Sequence, residues 1–424
     1  MKSIRVLLWG TEIGVVSENS NNPNYYIFKY NDDFIRSNIE VCPIIMKLSN
    51  QTYMFDNLNI ESFKGLPPLI SDSLPDKYGE TLLNAWKIKN NKASLNPLEV
   101  LSYIGKRGMG ALEFEPCFDD KKEPYDIEID SLLEVAKEVL TKRSTIEYNI
   151  KDEKNLYKLI DVGSSIGGAR AKAIIAMDKD GNIKSGQIPN LDGYSYYVLK
   201  FDGLSNDLSE DTKITYYTRI EYSYYLMARD SKINISDSKL LVINNKYHFL
   251  TKRFDRDEYG RKIHMLSLSG MMGYDFMKAG YYSYEDVALL LKELNADYSD
   301  IVQLYRRMVF NVLTKNNDDH VKNISFLMDR KGNWSLSPAY DLSYSYNPNG
   351  EWTRHHQMRI NDKVDNITYM DLLSSASKMT IKKAQAIEII NEIHSVVDNY
   401  YKYAKEANLP DEIIKEISDN YPKI

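Results

Sequence analysis

The stretch TKNNDDHVKNISF, Thr314 to Phe326, sets Asp318 and Asn323 five positions apart, with His320 and Lys322 between them. Downstream, Asp341 stands in SPAYDLSYS, after two strand-like pieces, NISFLMD and NWSLSPAY, joined by an Arg-Lys-Gly-Asn turn. A carboxylate that can take a proton from a hydroxyl, and an amide and a second carboxylate that can ligate magnesium, are the groups that phosphoryl transfer from ATP requires. On that chemistry Asp318 is the base, and Asn323 and Asp341 are the Mg2+ ligands. Adjacent carboxylates beside His320 also suit a hydrolytic metal site, and that alternative stays open here.

Further groups upstream belong to the same chemistry. The Asp-to-Asn offset is that of the protein-kinase catalytic loop HRDxxxxN. Lys200 ends the strand-like run YYVLK, where it can reach phosphates, and Glu221 on the helical stretch that follows can hold it by an ion pair. SSIGGARAK offers glycines that let backbone N–H groups approach phosphate oxygens. Each feature alone is commonplace; their order is what carries information: glycine turn, strand lysine, helix glutamate, DxxxxN loop, hairpin, Asp.

These groups need elements to carry them. Residues 1 to about 60 alternate apolar and polar positions in short runs (SIRVLLW, IGVVSE, YYIFKY, VCPIIMKL), which predicts a small β-rich unit. LPDKYGETLLNAW places Pro75 and Asp76 before Leu82, Leu83 and Trp86 at helical spacing, which predicts a capped helix. NPLEVLSYIGKRG reads as a second helix ending at glycines. The charged, proline-containing CFDDKKEPYDIEID reads as a joint. From Ser164 a glycine turn, strands, a helix (YYTRIEYSYYLMARDSKI) and further strands follow. Beyond Asp257 the pattern is mostly helical, with Val302, Tyr305, Val309 and Val312 or Leu313 on one stripe of DIVQLYRRMVFNVLTKN. The expected class is α+β and bilobal, protein-kinase-like, with ATP in a cleft between lobes. It has a β-rich subdomain at 1–117, an α/β nucleotide lobe at 118–256 and a helical catalytic lobe at 257–424.

The totals narrow the partners. A length of 424 residues exceeds one ordinary core, and 27% charged with 43% hydrophobic residues is the balance of a globular protein. The net charge of -6 leaves no overall basic footprint for nucleic acid. Two cysteines, Cys42 and Cys117, are too few for a disulfide framework and fit a reducing compartment, so a cytoplasmic location is expected. The first residues are broken by Gly10, Thr11 and Glu12 before a signal peptide's apolar core is complete. No run reaches the roughly 18 to 20 apolar residues of a membrane span.

Taken in order, LPDKYGETLL, GKRGMGALEF, SSIGGARAKA, YYVLKFDG, TKRFDRD, HMLSLSG, FNVLTKNNDDHVKNISF, LSPAYDLSYS and MRINDKVDNIT resemble the HipA-type serine/threonine kinases, the toxins of bacterial toxin-antitoxin pairs. The resemblance runs along nearly the whole chain. It implies Asp318 as catalytic base and Asn323 and Asp341 as magnesium ligands. It implies a phosphate loop from Gly167 through Gly168, Ala169, Arg170 and Ala171 to Lys172, and Lys200 at the nucleotide phosphates. It puts Lys252, Arg253 and Phe254 at the adenine edge, and His320, Lys322 and Tyr340 at the nucleotide. Ser165 matches the serine such kinases phosphorylate on themselves, with Ser164 beside it. Arg170 and Ala171 depart from the Gln and Glu common in relatives. The implied cofactors are ATP and Mg2+. The implied partners are a protein substrate, in the family translation machinery such as an aminoacyl-tRNA synthetase, and a HipB-like DNA-binding antitoxin, with DNA reached only through it. A small-molecule or lipid kinase, a non-catalytic nucleotide-binding scaffold and, more distantly, a metal-dependent hydrolase share parts of this pattern.

Overall fold

The computed structural model describes all residues except 91, 93, 119–124, 142–152, 164–167, 169, 188–190 and 205–215. The chain divides into two compact units, one of residues 1–215 and 241–266, the other of 216–240 and 267–424.

The first unit opens with β1 (Ser3–Leu8), β2 (Thr11–Glu18), β3 (Tyr26–Tyr30) and β4 (Thr52–Tyr53), joined later by β5 (Leu112–Glu115). They form an antiparallel sheet ordered β4-β3-β2-β1-β5. Alternation does the sorting: Ile4, Val6 and Leu8 are buried while Ser3 and Arg5 are exposed. Trp9 and Gly10, both at positive φ, supply the tight turn between β1 and β2. The fourth apolar run departs from expectation, because VCPIIMKL forms no strand. Pro43 has no N–H to give a ladder. The run is instead an irregular buried segment, with Val41, Cys42 and Met46 inaccessible and the Met46 carbonyl accepting the Tyr30 hydroxyl at 2.7 Å.

Helices α1 (Lys77–Lys89) and α2 (Pro97–Ile104) follow, as their spacing predicted. Asn96 and Glu99 close a capping box on α2. The expected cap on α1 is absent: Asp76 occupies the N-cap position but makes no side-chain bond to its own helix. Next come α3 (Ile129–Thr141) and α4 (Glu153–Gly163), then a second antiparallel sheet. Its strands β6 (Lys172–Asp178), β7 (Ile183–Ser185), β8 (Tyr194–Lys200), β9 (Ser238–Ile243) and β10 (Lys246–Lys252) are ordered β7-β6-β8-β10-β9. Leu82 of α1, Leu133 of α3 and Leu159 of α4 share one core with Ile175, Leu199 and Leu250 of the sheet.

In the second unit lie α5 (Tyr217–Asp230), α6 (Tyr284–Glu293) and α7 (Tyr298–Leu313), the hairpin of β11 (Ser325–Met328) and β12 (Trp334–Leu336), and a helical end formed by α8 (Tyr369–Lys378), α9 (Lys383–Val397), α10 (Tyr400–Glu406) and α11 (Asp411–Asp419). The hairpin pairs Phe326 with Leu336 and Met328 with Trp334, where the two strand-like pieces had been read. On α7 the buried face is wider than the predicted stripe. Val302 is only half-buried, and every residue from Arg307 to Thr314 is buried because that end is packed on all sides. Among the described residues no helix is long and apolar enough to cross a membrane.

Candidate active site

Helix α7 ends at Thr314, and Lys315 turns the chain through the left-handed region at φ 55°. Beyond it the polar residues sort by direction. Asn316, Asn317 and Asp319 point inward and are buried. Asn316 donates to the Asn311 side chain at 3.0 Å, and Asn317 to the carbonyls of Thr353 and Arg354 at 3.1 and 3.3 Å. Asp319 accepts the Tyr284 hydroxyl at 2.9 Å and the Gln357 N–H at 2.7 Å, with His356 Nδ1 at 3.0 Å. Burial, then the Asp319 carboxylate, pushes the Tyr284 phenol well above its ordinary pKa, so it stays a donor. Between these anchors the Asp318 carboxylate is left half-exposed, at 48%.

His320 and Asn323 shape the next turn. The His320 Nδ1 accepts the Lys322 N–H at 3.3 Å and caps a short 3-10 turn, Val321–Asn323; its Nε2 lies 3.9 Å from Asp318. The Lys322 ammonium sits 4.6 Å from the centre of the Phe276 ring. Asn323 donates its amide N–H to the Asp318 carbonyl at 2.8 Å. The five-residue offset is thus a physical clamp, and the same bond commits the amide nitrogen while leaving the oxygen to ligate.

Asp341 arrives from the other side of the hairpin. Its φ of 54° is a conformation that non-glycine residues adopt at a cost, tolerated best by Asn and Asp. The hydroxyl of Tyr340, a residue expected at the nucleotide, is engaged by the Lys322 carbonyl and the Ser325 hydroxyl, both at 2.6 Å. Ser345 donates to Asn316 at 3.2 Å. So stitched, Asn323 and Asp341 line one cavity, together with Asp319, Asn316 and the buried Arg307. Magnesium takes oxygen donors and needs only one or two protein side chains. An amide oxygen and a carboxylate on one cavity wall fit it. No cluster of three or more His, Cys, Asp or Glu side chains suited to a metal occurs among the described residues.

In the first unit, Lys172 begins β6 and Lys200 ends β8, and the two are direct cross-strand partners. Both are buried, at 3% and 9% exposure. Like charges placed opposite each other on one sheet face oppose stability. Lys200 also lies 5.9 Å from the Phe249 ring centre. Of the glycine loop, Gly168, Arg170, Ala171 and Lys172 are described; Gly167, Ala169 and the serines Ser164 and Ser165 lie outside the described residues. Lys252 is exposed and Phe254 half-buried. Between them Arg253 turns its guanidinium inward, onto Asp255 at 2.8 and 2.6 Å, so a ligand at this edge would meet main chain. Arg256 and the Gly110 N–H also bind Asp255. Burial alone would raise the Asp255 pKa; Arg253 and Arg256 overcome that and hold it far below the usual range. Glu221 is buried on α5 of the second unit.

Sequence reading missed Asp255 and Asp319. Asp319 adjoins Asp318, and a loop has no period to say which of two neighbours faces inward. For Asp255 the signal was there: an acidic residue between two arginines in KRFDRD.

The second unit thus holds a clamped DxxxxN loop that shares a cavity with a strained Asp, and the first unit, by itself, two buried lysines in register on a sheet. The particular family follows from comparison. Residues 4–115 match the HipA N-terminal domain and residues 164–400 the HipA-like C-terminal domain. The chain belongs to the HipA family. HipA from Shewanella oneidensis MR-1, solved with HipB and its operator DNA, superposes with a TM-score of 0.64 at 16% identity, over 99% of this chain and 94% of that one. A putative kinase of Haemophilus influenzae is 30% identical over 107 residues, which is 23% of this chain and 31% of that protein. The match thus spans about a third of that relative's length.

Proposed function

We propose that this protein is an ATP- and Mg2+-dependent serine/threonine protein kinase of the HipA type. The observation that carries the reading is the Asn323 clamp. One hydrogen bond to the Asp318 carbonyl fixes the base-bearing residue relative to Asn323, whose oxygen shares a cavity with Asp341.

In this reading the half-exposed Asp318 carboxylate accepts the proton of the attacking hydroxyl. Asn323 and Asp341 hold Mg2+, which when bound neutralises charge on the phosphates. Lys172 and Lys200 bind phosphate oxygens. The main chain at Lys252, Arg253 and Phe254 meets the adenine. His320 holds the 3-10 turn in shape, and Lys322 is directed by Phe276. The acceptor is a serine of a cytoplasmic protein in the translation machinery, and Ser165 is a second acceptor within the chain. A phosphoserine brings about -1.5 to -2 charge, which beside a loop meant for ATP phosphates repels nucleotide and shuts the enzyme off. A HipB-like DNA-binding antitoxin restrains it, as the Shewanella complex suggests for a protein of this fold.

The test is incubation of purified protein with γ-labelled ATP, Mg2+ and lysate, beside Asp318→Asn. Label on a protein band, and a phosphate-sized mass gain on wild type only, support the reading. Label confined to small molecules or lipids reassigns the acceptor. Phosphate release without acceptor labelling marks a hydrolase, and equal biological effect of both forms marks a scaffold.

A further inference from the structure

We propose that Asp76, on the N-terminal segment, is a positioning residue that fixes the phosphate loop through Gly168; the proposal rests on reading Gly168 to Lys172 as part of that loop.

An Asp at a helix N-cap ordinarily accepts a bond from the second or third amide of its own helix. Asp76 has the extended N-cap backbone, φ -82° and ψ -172°, yet gives α1 no such bond. Its Oδ2 accepts the N–H of Gly168 at 2.7 Å, across 92 residues of sequence. In return, the Tyr78 N–H, one of the amides a helix start leaves without an internal partner, donates to the Gly168 carbonyl at 3.4 Å. Both polar groups of one peptide position are therefore held by one helix start, in a reciprocal arrangement like a capping box closed over distant chain.

The backbone there favours glycine. Its φ of 96° is disfavoured for L side chains, and a Cβ would sit 2.4 Å from the Lys172 Nζ. The lysine thus packs against the α-carbon whose peptide Asp76 holds. The end of α4 packs on the same helix, because a Cβ on Gly163 would meet Leu82 at 2.7 Å and the Lys172 carbonyl at 3.0 Å. Tyr78 and Leu82 are fully buried in the core that α1 shares with α4 and β6. Helix α1 thus meets this part of the chain at both Gly163 and Gly168. Because the Gly168 N–H is taken up by Asp76, that amide is not itself a phosphate donor; what the bond fixes is the course of the chain that continues to Arg170, Ala171 and Lys172. The contact also joins the two family-matched segments, 4–115 and 164–400.

The experiment compares Asp76→Ala, Asp76→Ser and Asp76→Asn with wild type. Serine can cap α1 but is too short to reach Gly168, which keeps the helix while breaking the bond. Asparagine keeps an acceptor oxygen. Loss of a hydrogen bond to a charged group predicts a rise in KM for ATP of about tenfold or more for the alanine and serine variants, with kcat changed by less than about threefold. The asparagine variant should stay near wild type. Deuterium uptake in the peptide covering 163–172 should quicken in Asp76→Ser and stay unchanged in the 194–200 strand. A KM within twofold of wild type together with unchanged uptake at 163–172 would overturn the proposal. If wild type neither binds nor consumes ATP, the phosphate-loop reading is what fails, and the uptake measurement still decides whether Asp76 holds Gly168.

Discussion

The phenol of Tyr340 donates to the Lys322 carbonyl at 2.6 Å, which ties the residue before Asp341 to the residue before Asn323. Each of the two proposed metal ligands is thus one peptide from the same hydrogen bond, and Asp341 holds a strained φ beside it. The bond sets the spacing between an amide oxygen and a carboxylate that come from opposite sides of a hairpin.

Tyr340→Phe removes this bond and the contact with Ser325 while keeping the ring. The expected loss is about 1 to 2 kcal/mol of stability. The Mg2+ concentration for half-maximal phosphoryl transfer should rise severalfold, because Asp341 can relax away from Asn323. A Mg2+ titration of activity beside a thermal melt checks both; an unchanged Mg2+ requirement would mean Tyr340 does not set the ligand spacing.

Asp318 and Asp319 should separate chemistry from stability. Asp318→Asn removes a half-exposed carboxylate and should cut phosphoryl transfer by about 10²- to 10⁴-fold, with the melting temperature nearly unmoved. Asp319→Asn alters a buried acceptor of Tyr284, His356 and the Gln357 amide. It should cost about 2 to 4 kcal/mol by denaturant titration. Activity falls with it because the loop loses its anchor.

That pair also shows where the sequence stops speaking. The DxxxxN offset, the Asp after the hairpin, the strand lysine and α7 are legible, because spacing and period encode them. Burial of one Asp and exposure of the next depends on Tyr284 and His356, which lie 35 and 37 residues away. Asp76 reads as an ordinary helix cap because local grammar cannot reveal a partner at position 168. VCPIIMKL reads as a strand because an apolar run is compatible with any buried backbone, and only Pro43 warns against a ladder. What was legible is local, and the remainder is set by contacts distant in the chain.

Asp255 carries the same lesson into stability. It is fully buried between Arg253 and Arg256 and accepts the Gly110 N–H, which links the GKRGMG turn to the end of β10. Removing it strands two buried guanidinium groups, so Asp255→Ala should cost about 3 to 5 kcal/mol. Denaturant unfolding checks the size. A loss below about 1 kcal/mol would mean that the cluster is not closed in solution.

His264 makes a prediction about acid. It is fully buried with Nε2 3.2 Å from the Val41 carbonyl, in the same irregular segment that replaced a predicted strand. Burial lowers its pKa from 6.5 to about 4, and the Val41 carbonyl opposes that only in part. Between pH 6.5 and 4 the unfolded chain takes up a proton that the folded chain refuses, so stability falls as pH drops through this window. The loss totals about 3 kcal/mol at the acid end and vanishes above the unfolded pKa near 6.5. His264→Gln removes the titration. Carboxylates act equally in both proteins, so the informative quantity is the difference between wild type and variant. Wild type should lead most at pH 7.5, and that lead should shrink by about 1.4 kcal/mol per pH unit between 6 and 4.5. Urea titrations at four pH values supply the curves, and parallel ones would show that His264 takes up its proton without opening the Val41 segment.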